Sequence, residues 1–218
     1  TKNFYIRREL QSKNFLPKII KIEKDIDKAL LKKINNNYFN TNGNKENLKF
    51  VLEVAKKLKL KKKTLIKTLK KFKGLRYRQE ITFQSKNLTI INDSKATTFS
   101  SSVSLLNSLT NVYWIVGGQA KKGDKLILSK KNCENFKAYI FGTNKNFFIG
   151  KIKKLMNYET FLDLKSLVKK LLLEVKTDKK TNHKTILFSP AAASFDNFKN
   201  FEKRGEYFNQ LIKKYINV

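Results

Sequence analysis

From residue 88 to its end, the chain alternates short apolar runs with amphipathic stretches, and this alternation limits it to few folds. The runs Leu88–Ile91, Val112–Val116, Ala138–Phe141 and Thr185–Phe188 read as strands; Val112–Val116 ends in Gly117-Gly118 and Ala138–Phe141 in Gly142. Between them lie helical patterns: one with Val103, Leu106 and Leu109, and a long one with Leu164, Leu167, Val168, Leu171 and Val175. A last pattern over about 201–216 carries Phe208, Leu211, Ile212 and Tyr215. The pattern predicts an α/β fold with a mostly parallel sheet and helices on its faces. Ligands in such sheets bind beyond the carboxyl ends of the strands. Three distinctive loops fall there: NDSKAT at 92–97, GGQAK at 117–121 and SPAAAS at 189–194.

Upstream the texture differs. Ile81–Gln84 and Leu88–Ile91 flank the turn 85–87 as a pair of strands. Leu48, Val51, Leu52, Ala55 and Leu58 recur at spacings of three and four as one helical stripe, and a short helix follows over 62–72 with Leu65, Ile66, Leu69 and Phe72 inward, stopped by Gly74. The polar run NNNYFNTNGN at 35–44 reads as a loop, and nothing before it forms a recognisable motif.

The three loops offer a carboxylate, hydroxyls and ammonium groups. Asp93, Ser94, Lys95 and Thr97 stand close together, Lys121 follows the glycine pair, and Ser189 and Ser194 flank three alanines. Lysines and hydroxyls in neighbouring loops suit an anionic ligand with carboxylates or phosphates. Taken singly, Lys121 also reads as a surface lysine and Ser194 as a helix cap. No GxxxxGK[ST] or GxGxxG sequence occurs. His183, the one histidine, sits in a polar stretch as a solvated loop residue and supports no catalytic triad. No catalytic residue and no metal ligand is assigned.

The net charge of +31 invites a nucleic-acid partner. Arginine, however, occurs only at Arg7, Arg8, Arg76, Arg78 and Arg204, and the lysines are scattered along the chain. A solvated lysine-rich surface is the simpler reading; a module binding nucleic acid or an anionic surface is the alternative. Cys133 is the single cysteine, which excludes a disulfide framework. No apolar run nears the roughly 20 residues that span a bilayer, and no signal peptide opens the chain. A cytoplasmic location is expected. The chain begins at Thr1 and its only methionine is Met156, so part of a longer protein is expected.

The segment SPAAASFDNFKNFEKRGEYF at 189–208 closely resembles the C-terminal signature of the D-glutamate-adding Mur ligases. NDSKAT resembles the segment at which those enzymes enter their C-terminal domain. GLRYRQE at 74–80 resembles their GLPHRxE segment, GGQAK their GG-x-x-K loop, and NKENLKFVLEVAKKL at 44–58 the NxxN-led helix closing their central domain. The resemblance runs in order from about residue 43 to the end. It implies a remnant of the central ATPase-type domain over 1–79 and a Rossmann-like, D-glutamate-binding C-terminal domain over 80–218.

It further implies an ATP-dependent amide-forming ligase that works as a monomer, without nucleic acid or membrane. Such a ligase phosphorylates a carboxylate of UDP-N-acetylmuramoyl-L-alanine and lets the amine of D-glutamate attack the acyl phosphate, in peptidoglycan synthesis. ATP and Mg2+ would be held mainly by a region upstream of this chain. By residue, the resemblance places Thr97, Lys121, Ser194 and Phe201 at D-glutamate and Asn47, Arg78, Asp93 and Lys95 at the nucleotide, with Arg204 as structural support. Departures from the family pattern are Gly43 in place of histidine, Arg76 and Tyr77 in place of proline and histidine, and Thr98 in place of asparagine.

Overall fold

A computed structural model of the protein describes residues 4–6, 19–22, 25–178 and 182–216. The chain forms two compact units, Thr1–Lys73 and Gly74–Val218.

In the larger unit six strands lie in the order β3-β4-β8-β5-β6-β7. They are β3 (Glu80–Gln84), β4 (Leu88–Asn92), β5 (Val112–Gly117), β6 (Phe136–Phe141), β7 (Asn157–Thr160) and β8 (Lys184–Phe188). The hairpin partner β3 is antiparallel to β4; every other pairing is parallel. The mostly parallel α/β sheet expected from the sequence is therefore present.

The central strands are apolar throughout because both faces are covered. Ile91, Trp114, Val116, Ile140 and Leu187 point to one core, with Phe99, Leu105 and Leu106 of α4 (Phe99–Leu106) and Phe148 and Ile152 of α5 (Lys145–Ile152). Their sequence neighbours Ile90, Ile115, Tyr139, Phe141, Ile186 and Phe188 point to the other, under α6 (Leu164–Thr177) and α7 (Phe201–Tyr215). The alternation is the strand period of two, hidden inside continuous apolar runs. Capping fixes where the two long helices begin: Asp163 accepts from Ser166 N–H and Asn200 from Lys203 N–H, each at 2.8 Å.

Two elements depart from the sequence pattern, which ran from Gly142 directly to α6. Helix α5 and strand β7 lie between them. β7 is an edge strand of mostly exposed residues, and α5 carries Gly150 mid-helix, so neither shows a sustained apolar period.

The smaller unit holds a parallel pair, β1 (Phe4–Ile6) and β2 (Ile19–Lys21), and helices α1 (Lys28–Ile34), α2 (Asn42–Lys57) and α3 (Lys62–Lys71). Its core is Ile34, Phe39, Leu48 and Leu69. The run 35–44, expected to be a loop, contains a 3-10 turn at Asn37–Asn40 and the start of α2. Asparagines drive this: Asn36 accepts from Tyr38 N–H and donates to the carbonyls of Leu69 and Phe72. The expected stripe on α2 is only partly inward, since Val51 is 45% and Leu58 65% exposed.

Candidate functional site

Because β4, β5, β6 and β8 run parallel, the loops that follow them emerge at one edge of the sheet. The turn after β4 is built around buried polar groups. Asn92 Oδ1 accepts from Ser94 N–H at 3.1 Å, and Asn92 Nδ2 donates to the Gly205 carbonyl and to Asn209 Oδ1 of α7. Asp93 is 6% exposed, and both its oxygens accept: Oδ1 from Gln79 N–H at 3.1 Å, Oδ2 from the Ser189 hydroxyl at 2.9 Å. Burial pushes its carboxyl up to about 6, against the lowering effects of these bonds and of the Arg78 charge. Ser94 Oγ donates to the Phe201 carbonyl at 2.9 Å, and the Lys95 ammonium sits 3.9 Å above the Phe201 ring.

Gly117, the last residue of β5, and Gly118, the first of the loop that follows, are both at positive φ. A Cβ on Gly117 would stand 2.0 Å from the Phe141 carbonyl oxygen, and one on Gly118 2.8 Å from that of Ala193. The glycine pair lets the end of β5 lie against the end of β6 and against the loop after β8. Gln119 and Ala193 exchange two backbone hydrogen bonds of 3.0 Å, joining the loops after β5 and β8. Farther along, Ala120 N–H donates to Asn144 Oδ1 at 2.8 Å, and Asp124 Oδ2 accepts from Phe99 N–H at 2.7 Å. The loops after β4, β5, β6 and β8 are thereby cross-linked.

After β8, Ser189 is fully buried and bonded to Asp93 and Ser102, while its carbonyl accepts from Trp114 Nε1 at 2.8 Å. Its hydroxyl belongs to the core beneath the site. Ser194 is 3% exposed, and its carbonyl accepts from Asn197 and Phe198 N–H.

The residues expected at D-glutamate thus lie on connected segments. Lys121 is exposed two residues beyond the Gln119–Ala193 bridge, and Ser194 directly follows that bridge. Half-buried Thr97 lies two residues before Phe99, which is tied to Lys121's loop through Asp124, and Phe201 begins α7. Of the residues expected at the nucleotide, Arg78 is exposed, Lys95 half-buried and Asp93 committed to internal bonds. Asn47 is exposed on α2 of the other unit. The segment 74–79 belongs with the larger unit: the Tyr77 carbonyl accepts from Lys95 N–H at 3.0 Å, and Gln79 N–H donates to Asp93. His183 is exposed as expected, yet its ring nitrogens lie 2.9 Å from Thr89 Oγ1 and 3.1 Å from the Lys86 carbonyl.

The sequence marked Tyr77 only as a departure from the family pattern and did not reveal that its ring fills the space beside Gly205, nor that Arg204 is fully buried. The signal for Arg204 was its arginine within the signature segment of a lysine-dominated chain. A cavity of about 420 Å³ opens at the opposite, amino-terminal edge of the sheet, where Lys137 pairs with Glu174 and Lys184 with Asp178. It involves none of the three motif loops. Among the described residues no three His, Cys, Asp or Glu gather as a metal-ligand set, and no helix is long and apolar enough to cross a membrane.

No protein-family profile matches the chain. It is 38% identical over 176 residues to the UDP-N-acetylmuramoylalanine–D-glutamate ligase of Wolbachia sp. subsp. Brugia malayi, covering 80% of this chain and 35% of that protein. Identity to the enzyme of the same name from Francisella philomiragia subsp. philomiragia is 34% over 173 residues, 78% of this chain and 41% of that one. The chain therefore spans about a third of the length of the first of these relatives. Among solved structures, the UDP-N-acetylmuramate–alanine ligase of Thermotoga maritima superposes with a TM-score of 0.51 at 15% identity. The match covers 80% of this chain and 38% of that one, a likeness of fold. None of these relatives supports the alternative of a nucleic-acid or anionic-surface module.

Proposed function

We propose, from the premise that this chain belongs to the Mur ligase family, that it is the amino-acid-receiving portion of an ATP-dependent ligase. The ligase adds D-glutamate to UDP-N-acetylmuramoyl-L-alanine in peptidoglycan synthesis, in the cytoplasm and as a monomer. The observation that carries this reading is the Gln119–Ala193 bridge, which joins the loops bearing Lys121 and Ser194 although the two strands before them are separated in sequence by β6, β7 and two helices.

D-glutamate carries two carboxylates, so its site needs donors on more than one side. Lys121 supplies charge, Thr97 and Ser194 supply directed hydroxyls, and the backbone at Phe201 closes the set. Holding both carboxylates leaves the amine as the free nucleophile. ATP, when bound, supplies the phosphoryl group that turns the sugar-peptide carboxylate into a leaving-group-bearing acyl donor.

The residues present fit the margin of a nucleotide site. Arg78 and Lys95 are accessible cations suited to phosphate, and Asp93 orders the segment between them through Gln79 and Ser189. Asn47 is assigned to the adenine. Residues 1–79 are assigned to the central ATPase-type domain, although 74–79 pack with the larger unit, and residues 80–218 to the D-glutamate domain. The chain's sequence offers no glycine-rich phosphate cradle, and Mg2+ is assigned to residues outside it.

Isothermal titration of the 218-residue chain with D-glutamate and L-glutamate tests the reading. Saturable uptake of the D-isomer alone is expected, with no phosphate release from ATP in a coupled assay. Equal uptake of both isomers, or none of either, defeats it.

A further inference from the structure

We infer that Arg204 is a positioning residue that fixes Phe201 and Lys95 relative to each other across the site. Its guanidinium is fully buried, and no carboxylate bonds it within the described residues. A buried charge is costly unless its donors are satisfied. Here two donors go to a single residue: Nε to Ser94 Oγ at 3.1 Å and Nη2 to the Ser94 carbonyl at 2.7 Å. Nη1 has no hydrogen-bond partner among the described residues and faces Gly118. Asp196 supplies the opposing charge from a distance, and burial still pushes the guanidinium down to about 10.

Ser94 relays this grip. The hydroxyl that accepts from Arg204 donates to the Phe201 carbonyl at 2.9 Å, one helical turn back from Arg204 on α7. Lys95, the next residue, has its ammonium 3.9 Å above the Phe201 ring. Arg204, Ser94 and Phe201 thus close a triangle, and Lys95 is held against one of its corners. Lysine at 204 could reach the Ser94 carbonyl, but only the planar fork of arginine serves carbonyl and hydroxyl together.

The functional meaning rests on the reading of Thr97, Lys121, Ser194 and Phe201 as the D-glutamate site. The triangle then sets a residue of that site in fixed relation to Lys95 on the nucleotide side.

The test uses the 218-residue chain as wild type, Arg204→Met, Arg204→Lys and Ser94→Ala, with two readouts. The first is the proton resonance of the Lys95 ε-methylene, which the Phe201 ring displaces upfield when the ammonium sits over it. The second is titration with D-glutamate. Arg204→Met and Ser94→Ala are both expected to abolish the upfield displacement and to weaken D-glutamate by about tenfold or more, with partial recovery in Arg204→Lys. A folded Arg204→Met or Ser94→Ala protein that keeps the displaced resonance overturns the proposal; should Arg204→Met not fold, Ser94→Ala alone decides. If the wild type takes up no D-glutamate while the Lys95 resonance moves as expected, the site reading fails and the positioning role stands. If D-glutamate binds equally to all four proteins and the resonance does not move, the positioning role fails and the site reading stands.

Discussion

The Ser189 hydroxyl donates to Asp93 Oδ2 across 2.9 Å, joining two loops whose residues are 96 apart in sequence. Ser189 also meets Ser102 Oγ at 2.8 Å, so three polar side chains form one chain beneath the site. The chain is satisfied with Asp93 in either protonation state. When Asp93 is neutral, its proton turns toward Ser189, and Ser189 turns its own toward Ser102.

That arrangement makes a pH prediction. Burial raises the Asp93 carboxyl from 3.8 to about 6, so the folded state holds this proton more tightly than the unfolded state does. The resulting stabilisation is complete below the unfolded value and is lost as pH rises through about 6. That difference corresponds to about 3 kcal/mol. Asp93→Asn keeps the neutral form's donor toward Ser189 and cannot ionise. Urea unfolding of both proteins should show the variant gaining on the wild type by up to about 3 kcal/mol between about pH 4 and about pH 7.5. A stability difference that stays flat across that range would mean that Asp93 does not carry the shift.

Gly117 and Gly118 should tolerate no side chain. Gly117 has φ 138° and a carbonyl oxygen 2.0 Å from where a Cβ would stand, so the strand end must move in Gly117→Ala. A loss of about 3 kcal/mol or more is expected from combined strain and collision. Gly118→Ala would push on the Ala193 carbonyl and open the bridge to Gln119. Thermal unfolding checks the first. Hydrogen exchange at Gln119 and Ala193 checks the second, where protection equal to wild type would contradict the account.

Two helical glycines provide an internal comparison. Alanine ordinarily stabilises a helix interior by about 1 kcal/mol relative to glycine. Gly150 in α5 has open space where a Cβ would go, so Gly150→Ala should gain roughly that amount. At Gly205 in α7 the Tyr77 ring lies 2.4 Å from the Cβ position, so Gly205→Ala should instead displace Tyr77. Lys95 N–H, which donates to the Tyr77 carbonyl, should then exchange faster with solvent. Stabilisation of both variants to the same degree would show that Tyr77 is not seated against α7.

Much of this was written in local pattern, and the remainder was not for identifiable reasons. Val112–Val116 and Thr185–Phe188 were legible because strands covered on both faces must be apolar throughout, and α6 because six buried residues keep helical spacing. Strand β7 escaped because an edge strand with exposed residues needs no apolar pattern, and α1 because seven residues give too short a stripe. The motif loops stood out by composition. Their internal wiring did not: Arg204 and Ser94 are 110 residues apart, and no local period encodes such a pairing. The glycine pair was noticed, but its neighbours are the end of β6 and the loop after β8, a fact that only the folded arrangement supplies.

Lys121 is exposed two residues beyond the Gln119–Ala193 bridge, while the proposed partners Thr97 and Ser194 are half-buried and buried. Hydroxyls fixed in the structure set direction, and the ammonium supplies the charge that a carboxylate ligand must neutralise. Lys121→Ala should therefore leave unfolding unchanged within about 0.5 kcal/mol, as for other exposed sites. It should weaken D-glutamate uptake by about ten- to a hundredfold, the value of a hydrogen bond to a charged group. Because the contact is charge-assisted, the wild-type affinity should fall with added salt and the variant's should fall less. Thr97→Ala should weaken uptake without changing that salt dependence. If Lys121→Ala binds D-glutamate as the wild type does, Lys121 is a surface lysine like many others in this chain, and the carboxylates must be held elsewhere.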